Sequence, residues 1–195
     1  MPSEEVNFSI QGDHQRPSTM KIRCSGIYNL MMGADKVVDE IGTSRGAYVL
    51  VIQLDQLIKI EIGRLGFVSF GTGYYLYTGS ALGPGGLSGR IHRHLRHESQ
   101  KRSHWHIDAL TSQGEITEIW WLECACHLEC TWAEGLSKVG DRSALGFGSS
   151  DCRCAGHLVW FQDTFEVESA WVSLREHAGV KLRRVRNSET LAQYC

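Results

Sequence analysis

One stretch of the sequence, residues 73–106, strongly constrains how the chain can fold. Residues 73–78 are rich in tyrosine and favour a strand, and the glycine-rich turn at 83–86 cannot continue a regular element. From residue 87 the spacing becomes helical, with one apolar stripe: Leu87, Ile91 and Leu95. A neighbouring helix face carries basic and imidazole side chains: Arg90, His94 and His97. A guanidinium and two imidazoles beside a tyrosine-bearing strand suit a phosphate better than they suit a core.

Basic residues are concentrated in this stretch, although the whole chain has a formal net charge of only -2. Between residues 90 and 106 the sequence contains five lysines or arginines and a single acidic residue, Glu98. Four of the basic residues are candidates for following the backbone of a nucleic acid: Arg93, Arg96, Lys101 and Arg102. A solvated helix face is an equally common explanation of such a run.

The cysteine content bears on the compartment in which the protein works. Seven cysteines is an odd number, their spacings match no disulfide framework, and the acidic, polar N-terminus differs from an export signal. We therefore expect reduced thiols and a cytoplasmic protein. Since no stretch approaches the roughly 20 apolar residues of a membrane span, no membrane partner is expected.

The order of the apolar segments predicts an α/β (α+β) fold with a small central, mostly antiparallel sheet flanked by helices. Residues 47–54 form a nearly continuous apolar run, which is typical of a central strand buried on both faces. Residues 57–62 alternate and lead through a turn to a return strand at 67–70, which indicates a hairpin. Later segments favour strands at 116–122 and 157–161, a helical turn or two at 105–110, and a helix at 128–138. We expect an irregular tail at 1–44, the folded domain at 45–162, and a helical or basic extension at 163–195.

Four separated features, taken in order, resemble one nuclease superfamily. They are a strand with Gly46-Ala47-Tyr48, a strand with Tyr77-Thr78-Gly79, a helix with Arg90-x-x-x-His94, and a glutamate on a later helix, Glu129. The set resembles the GIY-YIG nuclease superfamily, and more narrowly its Uri-type endonuclease branch. That branch has an inserted hairpin, a His-Trp-His block, a Leu-Glu-Cys helix start and a Gly-Phe-Gly-Ser-Ser-Asp-Cys-x-Cys loop, which correspond here to residues 49–73, 104–106, 128–130 and 146–154. The resemblance covers about residues 45–162 and implies a GIY-YIG-like fold with an inserted β-hairpin.

The two tyrosine motifs depart from the superfamily name at their middle positions. Ala47 and Thr78 stand where that name has isoleucine, and because the tyrosines carry the chemistry, both are expected to be peripheral packing changes. A literal Gly-Ile-Tyr string occurs at residues 26–28, but it leads into polar sequence, whereas Gly46 opens a strong strand.

Phosphodiester hydrolysis needs an activated water, charge relief on the phosphoryl oxygens and help for the departing oxygen. The resemblance implies one divalent ion, Mg²⁺ or Mn²⁺, held by Glu129, and one or two carboxylates commonly suffice for Mg²⁺. It assigns Tyr48 as general base with Tyr77 as its hydrogen-bonding neighbour. Since a phenol has a pKa near 10, we expect Arg90 to lower the pKa of Tyr48 and to bind the scissile phosphate. The resemblance assigns an auxiliary role to His94 and His104, which would contact the phosphate or transfer a proton.

Each of these side chains alone has an ordinary structural explanation. Strand tyrosines are commonly core residues, a lone arginine is commonly a surface residue, and a glutamate in the first turn of a helix suits the helix dipole. His106 is the least secure candidate, because in an extended segment Trp105 puts it on roughly the opposite face from His104.

The spacing Cys152-x-Cys154-x-x-His157 suggests a zinc site that lacks one ligand. Cys130 or Cys126 could supply the fourth. The C-x-C spacing is tighter than the usual two to four intervening residues, and the alternative is a set of buried, reduced thiols that pack as small apolar groups.

The sequence therefore predicts a metal-dependent endonuclease that hydrolyses phosphodiester bonds in DNA. Two other classes stay open. One is a non-catalytic nucleic-acid-binding module, which the basic helix and the C-terminal arginines favour. The other is a structural zinc domain that binds protein partners.

Overall fold

The computed structural model describes residues 41–96, 105–178 and 181–186. Within these ranges the strands are β1 (Gly46–Leu54), β2 (Ile58–Ile62), β3 (Gly66–Phe70), β4 (Gly73–Ala81), β5 (Glu115–Glu123), β6 (Asp141–Arg142), β7 (Leu158–Phe161) and β8 (Arg183–Arg186). The helices are α1 (Gly86–Leu95), α2 (His106–Thr111), α3 (Glu129–Leu136) and α4 (Thr164–Ala178).

Six strands form one antiparallel sheet in the order β6-β7-β4-β1-β5-β8. Strands β2 and β3 form a separate two-stranded hairpin, joined by a short 3₁₀ turn and inserted between β1 and β4. The predicted class, a mostly antiparallel central sheet flanked by helices with an inserted hairpin, is confirmed.

Strand β1 lies at the centre of the sheet and separates two apolar cores. Its alternate side chains from Tyr48 to Leu54 belong to the first core, which also contains the apolar faces of α1 and α2. Ala47, Val49 and Val51 belong to the second core, together with apolar residues of α3 and α4. Because successive side chains of a strand point to opposite faces, one apolar run serves both cores. The prediction of a central strand buried on both sides is confirmed.

Helix α1 is held against the sheet by its apolar stripe and by its first turn. Leu87 and Ile91 are fully buried and Leu95 is 7% exposed, as the helical spacing predicts. Burying each of these side chains contributes about 1.5–3 kcal/mol. The backbone N–H groups of Leu87 and Ser88 donate to the carbonyls of Ser44 and Gly42, both at 2.9 Å. These bonds satisfy N–H groups that a helix start leaves without an internal partner.

The C-terminal segment is part of the same sheet. Val167, Ala170, Trp171 and Leu174 of α4 lie in the second core, and β8 pairs with β5 as an edge strand. The predicted extension at 163–195 thus contains helix α4 and the edge strand β8, and the arginines of β8 are paired with acidic side chains. Arg184 binds Glu118 at 2.7 Å and Glu168 at 2.8 Å. In the described part of the chain, no helix has the length and apolar composition needed to cross a membrane.

Candidate active site

Tyr48 and Tyr77 lie on the same face of two adjacent strands. Strand β1 pairs with β4 so that Tyr48 is opposite Gly79 and Leu50 is opposite Tyr77. The two tyrosines are therefore diagonal neighbours, a spacing that aromatic side chains can bridge. Gly79 makes room for the Tyr48 ring, because a Cβ at that position would lie 2.5 Å from the Tyr48 hydroxyl oxygen. Gly79 of the second motif therefore leaves the space that the side chain of Tyr48, from the first motif, occupies.

His94 is bound to the hydroxyl of Tyr48. Its Nε2 lies 2.8 Å from the tyrosine oxygen, and the imidazole is only 2% exposed. The same ring contacts Tyr77 edge-on, with centroids 6.4 Å apart. Helix α1 brings His94 here because the residue lies next to the stripe that docks on the first core. The structure thus brings together three of the predicted site residues at the end of α1.

Burial dominates the acidity of both tyrosines. It raises the pKa of Tyr48 well above its usual value, and the neighbouring Tyr77 raises it further, while Arg90 and Arg93 oppose the shift. Burial likewise raises the pKa of Tyr77, again against Arg90. Arg90 does lower the pKa of Tyr48, as expected, but desolvation of the buried phenolate outweighs the guanidinium, so the net pKa is raised and not lowered. Tyr48 is a neutral phenol at neutral pH.

Arg90 and Arg93 both stack on the indole of Trp105. Their guanidinium carbons lie 4.5 and 4.0 Å from the centroid of the Trp105 ring. Arg93 also forms two hydrogen bonds with the carboxylate of Asp108, at 2.9 and 3.3 Å, and the Asp108 side chain is only 1% exposed. Arg93 thus links α1 to α2, whereas its predicted contact with nucleic acid stays a prediction. The sequence reasoning missed Asp108, since a lone aspartate in a short helix gives no distinguishing signal.

Glu129 is the first residue of α3, as predicted, and its carboxylate is largely enclosed. The side chain is 13% exposed, and Oε1 lies 2.9 Å from Nδ1 of His127. Oε2 is buried and has no hydrogen-bond partner among the described residues. The negative charge of Glu129 makes a minor contribution to the raised pKa of Tyr77, after burial, Asp151 and Asp108. A buried carboxylate oxygen without a donor fits a divalent cation, which would supply the missing positive charge.

Several other predicted residues have simpler outcomes. Arg96, at the end of α1, is exposed. His106, the least secure candidate, accepts a hydrogen bond at Nδ1 from the backbone N–H of Gly148 at 3.2 Å. Four predicted residues lie outside the described residues: His97, Lys101, Arg102 and His104.

Thr78 is not the peripheral packing change that the motif comparison suggested. It is fully buried, and its hydroxyl donates a 2.8 Å hydrogen bond to the backbone carbonyl of Glu129. Its backbone N–H donates to the carbonyl of His157 at 3.0 Å. Sequence reasoning missed this role because Glu129 is 51 positions away along the chain.

Three cysteines and a histidine converge beside Glu129: Cys130, Cys152, Cys154 and His157. Their four ligand atoms all lie within 4.8 Å of one another. The thiols of Cys130 and Cys152 are both 3.5 Å from Nε2 of His157. Tetrahedral zinc with ordinary bond lengths separates sulfur and nitrogen ligands by about 3.5 Å, so the set fits zinc. The structure selects Cys130 over Cys126, which is exposed and not part of the group.

A family model described as a domain of unknown function, DUF123, matches residues 47–180. The chain belongs to the DUF123 family. No curated protein and no solved structure matches it. The DUF123 match covers β1 to β7 and all of α4, so it contains the candidate site and the Cys₃His cluster, and it extends beyond the predicted domain end at residue 162.

Proposed function

We propose that this DUF123 protein is a metal-dependent endonuclease that hydrolyses phosphodiester bonds in DNA. The supporting observation is the environment of Tyr77, whose ring contacts His94 and whose pKa is affected by the charges of Arg90 and, more weakly, Glu129. Tyr48 joins the same group through His94. Two buried phenols, with a cation and an anion that affect their pKa values, provide the groups that phosphodiester hydrolysis needs. The relation of DUF123 to the Uri-like and GIY-YIG proteins supports the same activity.

The hydrogen bond between Tyr48 and His94 suggests how water is activated. A buried phenol with a raised pKa is a poor resting base, but it can transfer its own proton to Nε2 of His94 while its oxygen takes a proton from water. The hydroxide so formed attacks phosphorus, and the bond to the departing 3′ oxygen breaks. A standing phenolate is not required, so the raised pKa is compatible with this step.

The charges of Arg90 and Glu129 have separate tasks. Arg90 presents a planar guanidinium to the phosphoryl oxygens, and its stacking on Trp105 limits the orientations of that group. Glu129 would hold Mg²⁺ or Mn²⁺ through the oxygen that lacks a donor. When bound, such an ion polarises a phosphoryl oxygen and stabilises the charge of the leaving oxygen.

The Cys₃His cluster is proposed to hold a structural zinc ion. Four protein ligands close the coordination shell and leave no position for a substrate, which is typical of structural rather than catalytic zinc. Metal analysis of the purified protein is expected to give about one equivalent of zinc per chain. Less than about half an equivalent would contradict the assignment.

The proposed compartment is reducing, because all five described cysteines are free thiols. The three cysteines of the Cys₃His cluster must also stay reduced in order to bind zinc as thiolates. The cytoplasm satisfies this condition.

A panel of end-labelled DNAs tests the activity. Single-stranded, duplex, nicked and branched substrates are incubated with pure protein in Mg²⁺, in Mn²⁺ and in EDTA. Cleavage of at least one substrate that requires the divalent ion is the expected result. Steeply salt-dependent binding to all substrates without cleavage would instead indicate a binding module.

A further inference from the structure

Thr78 connects two functional segments of the molecule. Its backbone N–H donates a hydrogen bond to the backbone carbonyl of His157, a member of the Cys₃His cluster. Its hydroxyl donates a hydrogen bond to the backbone carbonyl of Glu129. The residue directly before it is Tyr77. Strand β4 therefore carries, at two successive positions, a phenol of the candidate site and a hydroxyl that anchors the start of α3.

The hydroxyl is the part of Thr78 that fixes Glu129. Glu129 begins α3, so a hydrogen bond to its carbonyl ties the first turn of that helix to the sheet. The bond is 2.8 Å long and lies in a region where Thr78 has no exposed surface. A side chain of the same shape without a donor would leave this bond unmade, and the helix start could then shift away from Tyr77.

We propose that Thr78 is a positioning residue for the divalent cation at Glu129. Its hydroxyl ties the start of α3, and with it Glu129, to strand β4 beside Tyr77. Thr78 itself contacts neither the cation nor the substrate. This inference rests on the proposed function, since it requires Glu129 to be the cation ligand.

The test measures Mn²⁺ binding directly, by the electron paramagnetic resonance signal of free Mn²⁺ added to the full-length, zinc-loaded chain. Thr78→Val is expected to weaken Mn²⁺ binding about tenfold or more, the effect commonly seen when a group that orients a metal ligand is lost. Thr78→Ser keeps the donor and is expected to bind nearly as the wild type does.

Thr117→Val provides a matched control. Thr117 is 3% exposed and its hydroxyl also donates to a backbone carbonyl, that of Val51, at 3.4 Å. The same chemical change there should cost a similar amount of stability and leave Mn²⁺ affinity unchanged. Glu129→Gln should abolish the binding.

The outcomes separate the inference from the proposed function. Unchanged Mn²⁺ binding in Glu129→Gln would refute the cation site and with it the proposed function. If Glu129→Gln loses Mn²⁺ binding but Thr78→Val binds Mn²⁺ with wild-type affinity, only the positioning role of Thr78 is overturned. If circular dichroism shows Thr78→Val to be unfolded, Thr78→Ala is measured with the same expectation. Unfolding of both would also overturn the inference, because the hydroxyl would then serve the whole fold.

Discussion

The hydroxyl of Tyr48 and Nε2 of His94 are 2.8 Å apart inside the protein, although the two residues are 46 positions apart in the chain. Strand β1 supplies the phenol and α1 supplies the imidazole. Because both groups are buried, their hydrogen bond is shielded from competing water and holds one defined geometry. A proton can therefore move between these atoms without a change in the fold.

Tyr48→Phe should lower the cleavage rate about 10²–10⁴-fold, because it removes the group that exchanges protons with water. Tyr75→Phe is the matched control. Tyr75 is also a buried tyrosine of the first core, and its hydroxyl donates to the carbonyl of Gly71 rather than to the site. Single-turnover kinetics on the best DNA substrate compare the two. Equal cleavage rates for the two variants would show that the Tyr48 hydroxyl has no role in the chemical step.

Asp108→Ala should destabilise the protein strongly. The side chain of Asp108 is only 1% exposed, and its loss removes the two hydrogen bonds by which Arg93 joins α1 to α2. Removing one partner of a buried pair costs about 3–5 kcal/mol, and the 23% exposure of Arg93 favours the lower end. Urea denaturation measures the change in the free energy of unfolding.

The control for Asp108 is Glu134→Gln. Glu134 pairs with Arg142 on the surface and is 68% exposed. Breaking such a pair should cost no more than about 1 kcal/mol. A loss at Asp108 as small as the loss at Glu134 would contradict the structural role assigned to the buried pair.

Cys152→Ser should lower the zinc content and the melting temperature together, because a metal that binds only the folded state adds its binding free energy to stability. Cys126→Ser changes an exposed thiol outside the cluster and should alter neither quantity. Metal analysis and thermal denaturation, each with and without a chelator, check this prediction. Equal melting curves for the two variants would argue against a zinc-stabilised fold.

The stability of the protein should fall as the pH drops below about 6.5. Burial, with a smaller effect of Arg64, lowers the pKa of His106 below its ordinary value of 6.5. The unfolded chain therefore binds a proton at higher pH than the folded protein does, and folding is penalised as the pH falls towards the folded pKa. Protonation would also remove the acceptor that Nδ1 offers to Gly148.

Denaturation midpoints measured between pH 7.5 and pH 5.5 test the role of His106. His106→Gln should show a shallower decline than the wild type, whereas the exposed His92→Gln should follow the wild type. A slope that is the same in all three proteins would show that His106 does not contribute.

The parts of the fold that depend on short-range pattern could be predicted from the sequence. Residues 47–54 indicated a strand buried on both faces, and the four-residue spacing of Leu87, Ile91 and Leu95 indicated the stripe of α1 that the structure buries. These features follow from the periods of strands and helices, so that a local window contains the signal. The placement of Tyr48 and Tyr77 on one face follows from the same periods once their strands pair.

The features that depend on distant partners could not be predicted. The hydroxyl of Thr78 meets a carbonyl 51 positions away, and Arg184 meets Glu118 at a separation of 66 positions. The arginines of β8 resemble a basic tail until the sheet supplies their acidic partners. Cys130 rather than Cys126 joins the cluster because of how α3 packs against β4, and the spacing of the cysteines in the sequence gives no information about that packing.

The most direct test of the central claim compares wild-type protein with Glu129→Gln in a cleavage assay with Mg²⁺. Glu176→Gln, an exposed position on α4, controls for the loss of a charge. The account predicts that Glu129→Gln binds DNA as the wild type does but no longer cleaves it, while Glu176→Gln cleaves normally. Mg²⁺-dependent cleavage by Glu129→Gln at the wild-type rate would contradict it.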